Sequence, residues 1–395
     1  MLQFVSDFKQ YIKQQLRELR NQYFYDQLFV AASSESSSEA HLTATIAWLR
    51  RAQDVKGRGG VAACYNLATD SWGEPYRETT GYIINTFLDL YHFNHDEDLK
   101  QRAVWMGDWE LTEQQADGSF GEPNRQGTIR KKIFNTGQII LGLVALYKLT
   151  TESKYLNSAV EAADWLLEQQ DADGSWTKFT TKGANTYHAR VAWALLELAT
   201  VAGREKYQVA AEKNLAWVLS QVQVNHWFNH SGLSDQNDAI THFIAYTISG
   251  LLESSRFSIA SQAKVLAASQ AAAQVLLEQY LNLPASQFLS ASFDHQWQGQ
   301  SSYSCLTGNA QLADLWLDFF VLTQEEKWLS GAKQMIDQLK TCQLLATDNL
   351  DLRGGLAGSY PVAGDYGQYM LLNWAAKFYA DALLKLIKIE ASQTK

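Results

Sequence analysis

Proline, cysteine and basic charge are scarce in this 395-residue chain, and each scarcity excludes a class of protein. Only 4 residues are proline, against an average usage of ~5%, which favours helices over turn-rich all-β folds. The cysteines Cys64, Cys305 and Cys342 show no paired spacing, so we expect neither a disulfide framework nor a zinc site. A formal net charge of -9 argues against a general nucleic-acid binder, which needs a basic face.

Long apolar runs and a secretory leader are also missing. No stretch approaches the ~18 consecutive uncharged apolar residues that span a bilayer. The first nine residues lack a basic segment followed by an apolar one. Together with the unpaired cysteines, these observations predict a cytoplasmic protein without an integral membrane segment.

The sequence does contain an alternation of two kinds of segment. Amphipathic segments recur at intervals of roughly 50 to 60 residues, each with a tryptophan and then a glutamine before a turn. Strongly apolar segments, which open on small or polar residues, alternate with them. A helix that is apolar on nearly all sides belongs inside, and one with a single apolar stripe belongs outside. The pattern therefore predicts an all-α (α/α)6 barrel, or toroid, of six inner and six outer helices. The tryptophans are Trp48, Trp109, Trp165 and Trp217, and the apolar segments open near Glu78, Phe134, Tyr187, Thr241, Cys305 and Leu372.

The connections between these segments predict the domains and the position of a site. Links from inner to outer helices are short, whereas those from outer to inner helices are long. Loops longer than ~12–15 residues are uncommon unless they are functional, so we expect the site on the rim that carries the long links. Residues 1–37 are predicted to form an amphipathic helix and a Ser-rich linker. This segment packs on the barrel or on a partner, such as a second copy of the chain. Residues 38–395 are predicted to form the toroid. The long links run roughly over 55–77, 116–133, 171–186, 223–240, 282–304 and 346–371, and they contain Pro75, Pro123, Pro284 and Pro361.

The run Gln170–Trp176 resembles the Q-x3-G-x-W repeat of squalene and oxidosqualene cyclases, and Gln114–Phe120 is a degenerate copy. The resemblance implies a toroid of the terpenoid-cyclase and prenyltransferase type. The catalytic motifs of those families are missing, since Asp235–Asp238 lacks the middle carboxylate of DxDD and no DDxxD occurs. A terpenoid-cyclase-like enzyme is therefore an alternative hypothesis.

The segment Glu78–Tyr82 is similar to strings in six-hairpin carbohydrate-active enzymes, which are glycoside hydrolases, uronate lyases and sugar epimerases on the same barrel. In some of those hydrolases a glutamate before an inner helix, followed by Gly and Tyr, is the general acid, and the resemblance implies this role for Glu78. Strings at 78–84, 134–140 and 358–378 also resemble uncharacterised toroid proteins encoded beside bacterial exopolysaccharide genes.

The long links and the starts of the inner helices supply candidate catalytic groups. A glycosidase needs two carboxyl groups across one sugar bond, so Glu78 is paired with either Asp238 or Asp365. Histidines at the starts of inner helices transfer protons near neutral pH. Tyrosines supply a further acid or base for elimination or epimerisation. The predicted catalytic residues are Glu78, His188, His242, Asp238, Asp365, Tyr303 and Tyr366.

Aromatic and polar residues on the same rim are candidate substrate ligands. Flat rings stack on the apolar faces of sugars, and polar residues inside a helical ring are expensive unless they have a partner. Six helix N-termini and nearby arginines favour an anionic ligand. The predicted binding residues are Arg77, Tyr82, Asn135, Gln138, Trp176, Tyr187, Arg190, Tyr246, Asn309, Tyr369, Asn373 and Trp374.

These observations lead to one main hypothesis about function. The chain is predicted to be a carbohydrate-active enzyme that acts on an anionic exopolysaccharide or oligosaccharide, by hydrolysis or by uronate-type elimination or epimerisation. No cofactor or metal is predicted. Besides the terpenoid-cyclase-like enzyme, a non-catalytic glycan-binding or polysaccharide-assembly protein is the other alternative.

Overall fold

The computed structural model describes residues 2–28, 36–232 and 238–393. Within them the chain forms thirteen α-helices, twelve in the barrel and one added at the N-terminus, as predicted. Residues 33–35 of the predicted linker, and Asp235, lie outside the described residues. The helices are α1 (Leu2–Leu28), α2 (Ser38–Asp54), α3 (Arg77–Asn94), α4 (Glu97–Glu113), α5 (Ile133–Thr150), α6 (Ser153–Gln169), α7 (Ala189–Ala202), α8 (Glu205–Ser220), α9 (Thr241–Ser254), α10 (Gln262–Leu281), α11 (Leu306–Thr323), α12 (Glu326–Thr341) and α13 (Asn373–Gln393).

Six of these helices, α3, α5, α7, α9, α11 and α13, form a closed inner ring. Each packs against the next in chain order, and α13 packs back against α3. Helix α5 shows why they lie inside, because the consecutive residues Ile139, Ile140 and Leu141 are all buried and no face is left for solvent. The ring confirms the predicted (α/α)6 toroid.

The other six barrel helices, α2, α4, α6, α8, α10 and α12, form the outer ring. Helices α4 to α12 each pack on the inner helix that precedes them, and α2 packs on α13, which closes the barrel. Helix α6 buries Tyr155, Ala159, Ala162 and Leu166, whose spacing of three or four residues makes a single apolar stripe. The outer helices are therefore amphipathic, as the sequence pattern predicts.

Glutamines after the outer helices tie neighbouring outer helices together. The Gln170 side-chain amide donates to the Gly174 carbonyl at 3.1 Å and to the Ala210 carbonyl in α8 at 2.9 Å. Gln114 makes the equivalent pair of bonds. Trp176 is fully buried beside the same turn. The glutamine, glycine and tryptophan pattern in the sequence thus builds the barrel rather than a site.

The long connections all lie on one rim, and most of them contain short strands. Strand β1 pairs with β2 and β9, β3 with β4, β5 with β6, and β7 with β8, all antiparallel. Three of these pairings join different connections, because the partly buried backbone of a long loop needs hydrogen-bond partners. The strands are β1 (Cys64–Asn66), β2 (Ser71–Trp72), β3 (Gly121–Pro123), β4 (Ile129–Lys131), β5 (Asp238–Ile240), β6 (Ser292–Asp294), β7 (Ser304–Cys305), β8 (Ser359–Tyr360) and β9 (Met370–Leu372).

Glycine permits close contact between α3 and α5 near the rim. A Cβ on Gly142 would lie 2.1 Å from the Gly81 carbonyl oxygen, and a Cβ on Gly81 would lie 2.7 Å from the Ile139 Cα. Neither position tolerates a larger residue without a backbone shift. This contact fixes the start of α3, which carries Glu78, against its neighbour.

The N-terminal helix α1 packs on the rim of the barrel through Asp70. This carboxylate accepts hydrogen bonds from Asn21 Nδ2 at 2.8 Å and from the Tyr25 hydroxyl at 2.9 Å, and it pairs with Arg17 at 3.2 Å. The predicted packing of the added helix on the barrel is confirmed. The opposite face of α1 is exposed.

One helix of the described residues, α5, is long and apolar enough to span a membrane by length and composition. The expectation that no stretch approaches this limit is therefore too strong. Helix α5 belongs to the inner ring, and most of its residues are buried by neighbouring helices.

Candidate functional site

The starts of the inner helices surround a cavity of about 390 Å³ on the rim that carries the long connections. Its walls come from α3, α5, α9 and α13, from β3, and from the loop and helical turn before α7. We call it the rim cavity. It is lined by Ala63, Tyr76, Glu78, Thr79, Tyr82, Glu122, Lys132, Phe134, Asn135, Phe179, Thr180, Thr181, Tyr187, His188, His242, Phe243, Tyr246, Tyr366 and Trp374.

Two carboxyl groups in the rim cavity share one hydroxyl. The Tyr76 hydroxyl lies 2.5 Å from Glu122 Oε1 and 3.1 Å from Glu78 Oε2. Asn135 Nδ2 donates a second hydrogen bond to Glu122 Oε1 at 3.0 Å. A hydroxyl has a single proton, so it cannot donate to both carboxyl groups. The shorter bond assigns that proton to Glu122, and a protonated Glu78 then donates to the Tyr76 oxygen.

The protonation of Glu78 agrees with its surroundings. Burial first, and then the nearby Glu122 charge, raise the pKa of Glu78 to about 8, although the hydrogen bond with Tyr76 and the charges of Arg190 and Lys132 act in the opposite direction. Glu78 therefore carries a proton at neutral pH. Glu122 accepts two hydrogen bonds, one from the Tyr76 hydroxyl and one from Asn135. Two carboxyl groups with different environments form the usual arrangement of an acid and its partner.

Glu122 reaches the cavity because the second long connection folds into a hairpin. Strands β3 and β4 pair with Glu122 opposite Arg130, and the turn is closed by the Gly127 amide bonded to the Asn124 carbonyl. The sequence interpretation treats residues 116–133 as one loop and misses Glu122. The Asn124–Gly127 turn, between two short runs with alternating polarity, is the signal that could have found it.

Both predicted histidines border the cavity, in different states of hydrogen bonding. His242 donates Nδ1–H to Gln311 Oε1 at 2.6 Å, which leaves its Nε2 as an acceptor. Neither nitrogen of His188 has a partner within the described residues, although the side chain is almost completely buried. Burial lowers the pKa of each histidine to about 3. Both are therefore neutral near pH 7, which corrects the expectation that they titrate there.

Aromatic rings form most of the remaining wall. Phe134 contacts Tyr187 and Tyr246 with ring centroids 5.0 and 4.9 Å apart. Tyr366 accepts a hydrogen bond from Trp374 Nε1 at 2.9 Å. At the mouth, Lys132 Nζ lies 3.4 Å from the Thr181 hydroxyl. The cavity thus has an apolar wall and a polar mouth with one cation.

The rim cavity brings together about half of the predicted site residues. These residues come from five different connections or helix starts, which supports the placement of the site on this rim. They are Glu78, His188, His242, Tyr366, Tyr82, Asn135, Tyr187, Tyr246 and Trp374.

Three predicted catalytic residues lie outside the rim cavity, which is a correction. Asp238 lies in β5, opposite Asp294, and Asp365 is exposed. Tyr303 borders a separate surface groove with Tyr360. The strand pairs β5–β6 and β7–β8 hold these connections to their neighbours on the rim, away from Glu78.

Two predicted substrate ligands have structural roles instead. Arg77 forms an ion pair with Glu113, and its guanidinium lies 5.9 Å from the Trp109 ring centroid. Trp176 is fully buried and donates Nε1 to the Leu166 carbonyl at 2.9 Å. Neither side chain borders the rim cavity.

Three further predicted ligands bind the rim loops rather than the cavity. Asn309 Nδ2 donates to the Ser304 hydroxyl, and Asn373 Nδ2 donates to the Ala62 carbonyl. Tyr369 donates its hydroxyl to α1. The fold thus holds each of these side chains, although Asn309 Oδ1 and Asn373 Oδ1 are buried without a hydrogen-bond partner in the described residues.

Gln138 and Arg190 also lie outside the rim cavity. Arg190 Nε donates to Gln138 Oε1 at 2.7 Å, and Arg190 borders a second cavity at the other end of the inner ring. Because Arg190 lies in the first turn of α7, its position in the sequence suggests the rim, but its side chain borders the cavity at the other end of the ring. No group of three or more His, Cys, Asp or Glu residues within the described part of the chain is arranged to hold a metal ion.

The comparisons with known proteins identify the family and the fold. The family described as the GH127 catalytic domain of β-L-arabinofuranosidase matches residues 27–261, more than half of the chain. The chain belongs to this family. The GH127 match contains Glu78, Glu122, His188 and His242, whereas Trp374 comes from the part of the chain beyond it. No curated protein matches the sequence.

Solved structures with the same fold are carbohydrate enzymes of low sequence identity. An unsaturated glucuronyl hydrolase specific for heparin superposes with a TM-score of 0.71 at 15% identity, over 90% of this chain and 98% of the other. The unsaturated glucuronyl hydrolase of Bacillus sp. GL1 gives 0.68 at 17% identity, over 89% and 97%. Cellobiose 2-epimerase from Bacillus thermoamylovorans B4167 gives 0.67 at 12% identity, over 89% and 99%. These likenesses show the shared fold.

The family match decides between the predicted functions. An aromatic cavity with one buried acid suits a terpenoid cyclase as well as a sugar enzyme, so the cavity wall alone does not discriminate. Because the GH127 family is one of glycoside hydrolases, the protein is a carbohydrate-active enzyme. The main hypothesis is confirmed at this level, and the terpenoid-cyclase and non-catalytic alternatives are not supported.

Proposed function

We propose that the protein is a glycoside hydrolase that releases a terminal sugar from an anionic oligosaccharide, such as a fragment of an exopolysaccharide. In this proposal Glu78 is the general acid and Glu122 is the nucleophile. The observation that carries it is the pair of carboxyl groups on one tyrosine hydroxyl, of which Glu78 keeps its proton at neutral pH.

The general acid protonates the oxygen of the leaving group. Glu78 is suited to this step because its pKa of about 8 keeps the proton available at neutral pH, and its place in the cavity excludes most water. Tyr76 holds the acid and the nucleophile at fixed positions through its hydroxyl. As the glycosidic bond breaks, the proton passes from Glu78 to the departing oxygen.

The spacing of the carboxyl groups favours retention of configuration. The two bonded oxygens cannot be farther apart than the sum of their 2.5 and 3.1 Å distances to the Tyr76 hydroxyl. This limit lies below the ~6.5–9.5 Å of inverting enzymes, which need room for a water, and near the ~5–5.5 Å of retaining enzymes. Glu122 then attacks the anomeric carbon, and water hydrolyses the glycosyl-enzyme intermediate.

The anionic substrate is suggested by a basic edge, which is formed by cations of the two connections that border the rim cavity. Lys132 lines the cavity itself, and Lys131 pairs with Asp117. The β3–β4 hairpin and the loop before α7 carry six cations in a chain whose net charge is -9. Such a local patch attracts anionic ligands and raises their rate of association. The basic edge consists of Arg125, Arg130, Lys131, Lys132, Lys178 and Lys182.

Neutral groups deeper in the cavity suit the hydroxyl groups of a sugar. His188 has two unsatisfied ring nitrogens, one a donor and one an acceptor, and a sugar hydroxyl satisfies either. His242 presents Nε2 as an acceptor. Tyr187 and Trp374 offer ring faces for the apolar side of the sugar.

Three substrates, one variant and one control variant test the proposal. The full chain is incubated with an aryl β-L-arabinofuranoside, a glucuronyl-terminated oligosaccharide and its carboxyl-reduced neutral counterpart, and products are identified by NMR. We expect release of the terminal glucuronyl residue, with kcat/KM about tenfold above that of the neutral counterpart and a ratio that falls with salt. Lys132→Gln should reduce the ratio, whereas Lys148→Gln, on the far end of α5, should not.

Each other product overturns a defined part of the proposal. Release of the neutral and anionic sugars at equal rates contradicts the anionic substrate. An isomerised sugar without bond cleavage identifies an epimerase, and a new carbon–carbon double bond identifies a lyase. The absence of turnover on all three substrates contradicts hydrolysis of these linkages.

We also propose that α1 binds a second copy of the chain. Its outward face exposes Ile12, Leu16, Leu19 and Tyr23, whose spacing of three or four residues is that of a seam between two identical helices. The Leu16→Glu, Leu19→Glu double variant should sediment as a monomer where the wild type sediments as a dimer. Val224→Glu, at an exposed apolar residue elsewhere, is the matched control. A monomeric wild type contradicts this proposal.

A cytoplasmic location remains a proposal. Cys64, Cys305 and Cys342 are all free in the described structure, which suits a reducing compartment. Fractionation of the native cells, with the protein recovered in the soluble intracellular fraction, is the expected result.

A further inference from the structure

A second cavity lies at the opposite end of the inner ring from the long connections. Its volume is about 360 Å³, and α3, α7, α9, α11 and α13 all contribute to its wall. We call it the axial cavity. Nothing in the proposed hydrolysis uses it. Its deep end includes Arg190, Ser249, Gln311, Lys377, Phe378 and Asp381.

An aromatic layer separates the axial cavity from the rim cavity. Tyr82 and Tyr246 border the rim cavity, and their hydroxyl oxygens are 3.4 Å apart. On the axial side the Arg190 guanidinium lies 5.0 Å from the Tyr246 ring centroid. Lys377 Nζ lies 5.4 Å from the Tyr82 ring centroid. Two cations therefore stand directly behind the rings that line the proposed active site.

The carboxylates of the axial cavity are mostly paired. Asp314 and Asp318 share Lys385, each at 2.7 Å from its Nζ. Glu253 lies 3.1 Å from Arg256. Lys377 pairs with Asp381, and Asp89 lies at the exposed mouth. Each of these acidic residues thus forms an ion pair with another cation or is exposed to solvent, and none forms an ion pair with Arg190.

At the deep end of the axial cavity, Arg190 is a cation without a carboxylate partner in the described residues. Only 4% of the residue is exposed, and its guanidinium donates to two neutral oxygens, Gln138 Oε1 at 2.7 Å and Ser249 Oγ at 2.9 Å. Within the described residues no carboxylate oxygen lies within 4.0 Å of it, and it borders the axial cavity. The guanidinium also lies over the Trp193 and Tyr246 rings, and Glu253 and Asp381 act on it only at a distance. A buried charge without a directly bonded counter-ion is unfavourable, so this side chain favours a bound anion.

Gln311 provides an independent second donor. Its Oε1 is occupied by His242, and its Nε2 is buried without an acceptor. The residue borders the axial cavity close to Arg190. A buried N–H group without an acceptor is rare in folded proteins and indicates a missing partner.

We propose that the axial cavity binds a small anion with carboxylate or phosphate oxygens, held by the Arg190 guanidinium and the Gln311 amide beside Lys377. The planar guanidinium matches two oxygens of such a group in one plane. The volume of about 360 Å³ admits a small organic acid or a phosphate ester as well as inorganic phosphate.

Binding at this site is expected to change the chemistry of the rim cavity. The charged groups near Glu78 are Glu122, Lys132 and, through the aromatic layer, Arg190. The tyrosines that interact with it are Tyr76, Tyr82, Tyr187, Tyr246 and Tyr366. The Arg190 charge lowers the pKa of Glu78, so an anion that neutralises Arg190 raises it again. The acid then keeps its proton to a higher pH, and the basic limb of the activity profile moves upward. This readout rests on the proposed function, whereas binding itself does not.

Calorimetry of the full chain with inorganic phosphate, and separately with acetate, tests the proposal at pH 7 and constant ionic strength. We expect saturable binding in the millimolar range, and an affinity at least tenfold lower for Arg190→Gln. Lys327→Gln, which removes a surface cation outside both cavities, should bind as the wild type does. The affinities for phosphate and for acetate show whether the site prefers phosphate oxygens or carboxylate oxygens.

Other outcomes overturn the proposal. If the wild type and Arg190→Gln bind phosphate with equal affinity, the anion binds elsewhere. If the wild type binds neither probe at 50 mM, which is about the practical limit of such a titration, the site is excluded. If Arg190→Gln does not fold, Gln311→Leu replaces it, with the same loss expected. If binding is found without a shifted pH profile, the anion site stands, and the acid assigned to Glu78 is wrong.

Discussion

Replacing Glu78 by glutamine should lower kcat/KM by ~10²–10⁴-fold, which is the usual contribution of a general acid. Glutamine keeps the size and the hydrogen bond to Tyr76 but has no proton to transfer to the leaving oxygen. The wild-type rate should fall as the pH rises through about 8, because Glu78 then loses its proton. The variant should show no such fall.

The same substitution should make the protein more stable at neutral pH. The pKa of Glu78 is raised from 4.5 to about 8 on folding, so the folded state binds this proton more tightly than the unfolded state does. For a carboxyl group with a raised pKa, the stability contribution is intact below about pH 4.5 and is lost as the pH rises toward 8. Glutamine removes this loss, which is worth roughly 3 kcal/mol at pH 7.

Measurement of activity and unfolding in the same samples separates catalysis from folding. The stability gain of Glu78→Gln should disappear near pH 4.5, the unfolded-state pKa. Glu110→Gln is a matched control, since Glu110 is buried with no partner for either oxygen and burial raises its pKa, yet it lies in α4 away from the cavity. It should gain stability and keep full activity. A Glu78→Gln enzyme that retains activity contradicts the assigned acid.

The barrel was predictable because each inner and outer helix carries its own pattern. The uninterrupted burial of Ile139–Leu141 and the single stripe of α6 are direct consequences of the hydrophobic sequence. Glu78 was predictable for a related reason. It stands at the start of an inner helix, and all such starts converge on one rim.

The rest of the site depended on how loops and side chains are oriented. Glu122 lies in a hairpin whose register sets which residue faces the cavity, and that register is not visible in a single short segment. Arg190 is only two residues from His188, yet the helical turn sends the two side chains to opposite cavities. Asp238 and Asp365 are carboxylates on the expected rim, but strand pairing and solvent exposure place them elsewhere.

Replacing Glu122 should abolish the first chemical step. Glu122→Gln should lower kcat/KM by ~10³-fold or more, because the attacking carboxylate is removed. Glu122→Ala leaves a space in which sodium azide attacks the anomeric carbon while Glu78 protonates the leaving oxygen. We therefore expect azide to restore turnover of an activated aryl glycoside and to yield a glycosyl azide of inverted configuration.

The stereochemistry of the wild-type product completes this test. NMR of the first sugar released should show retained anomeric configuration, as the short distance between the two carboxyl groups requires. Glu74→Gln, at an exposed rim carboxylate outside the cavity, should keep both the rate and the product. An inverted product, or a Glu122→Ala variant that azide does not rescue, would show that water or another side chain attacks the sugar. Glu122 would then be a general base that activates this water, with its carboxylate held in place by the hydrogen bonds from Tyr76 and Asn135.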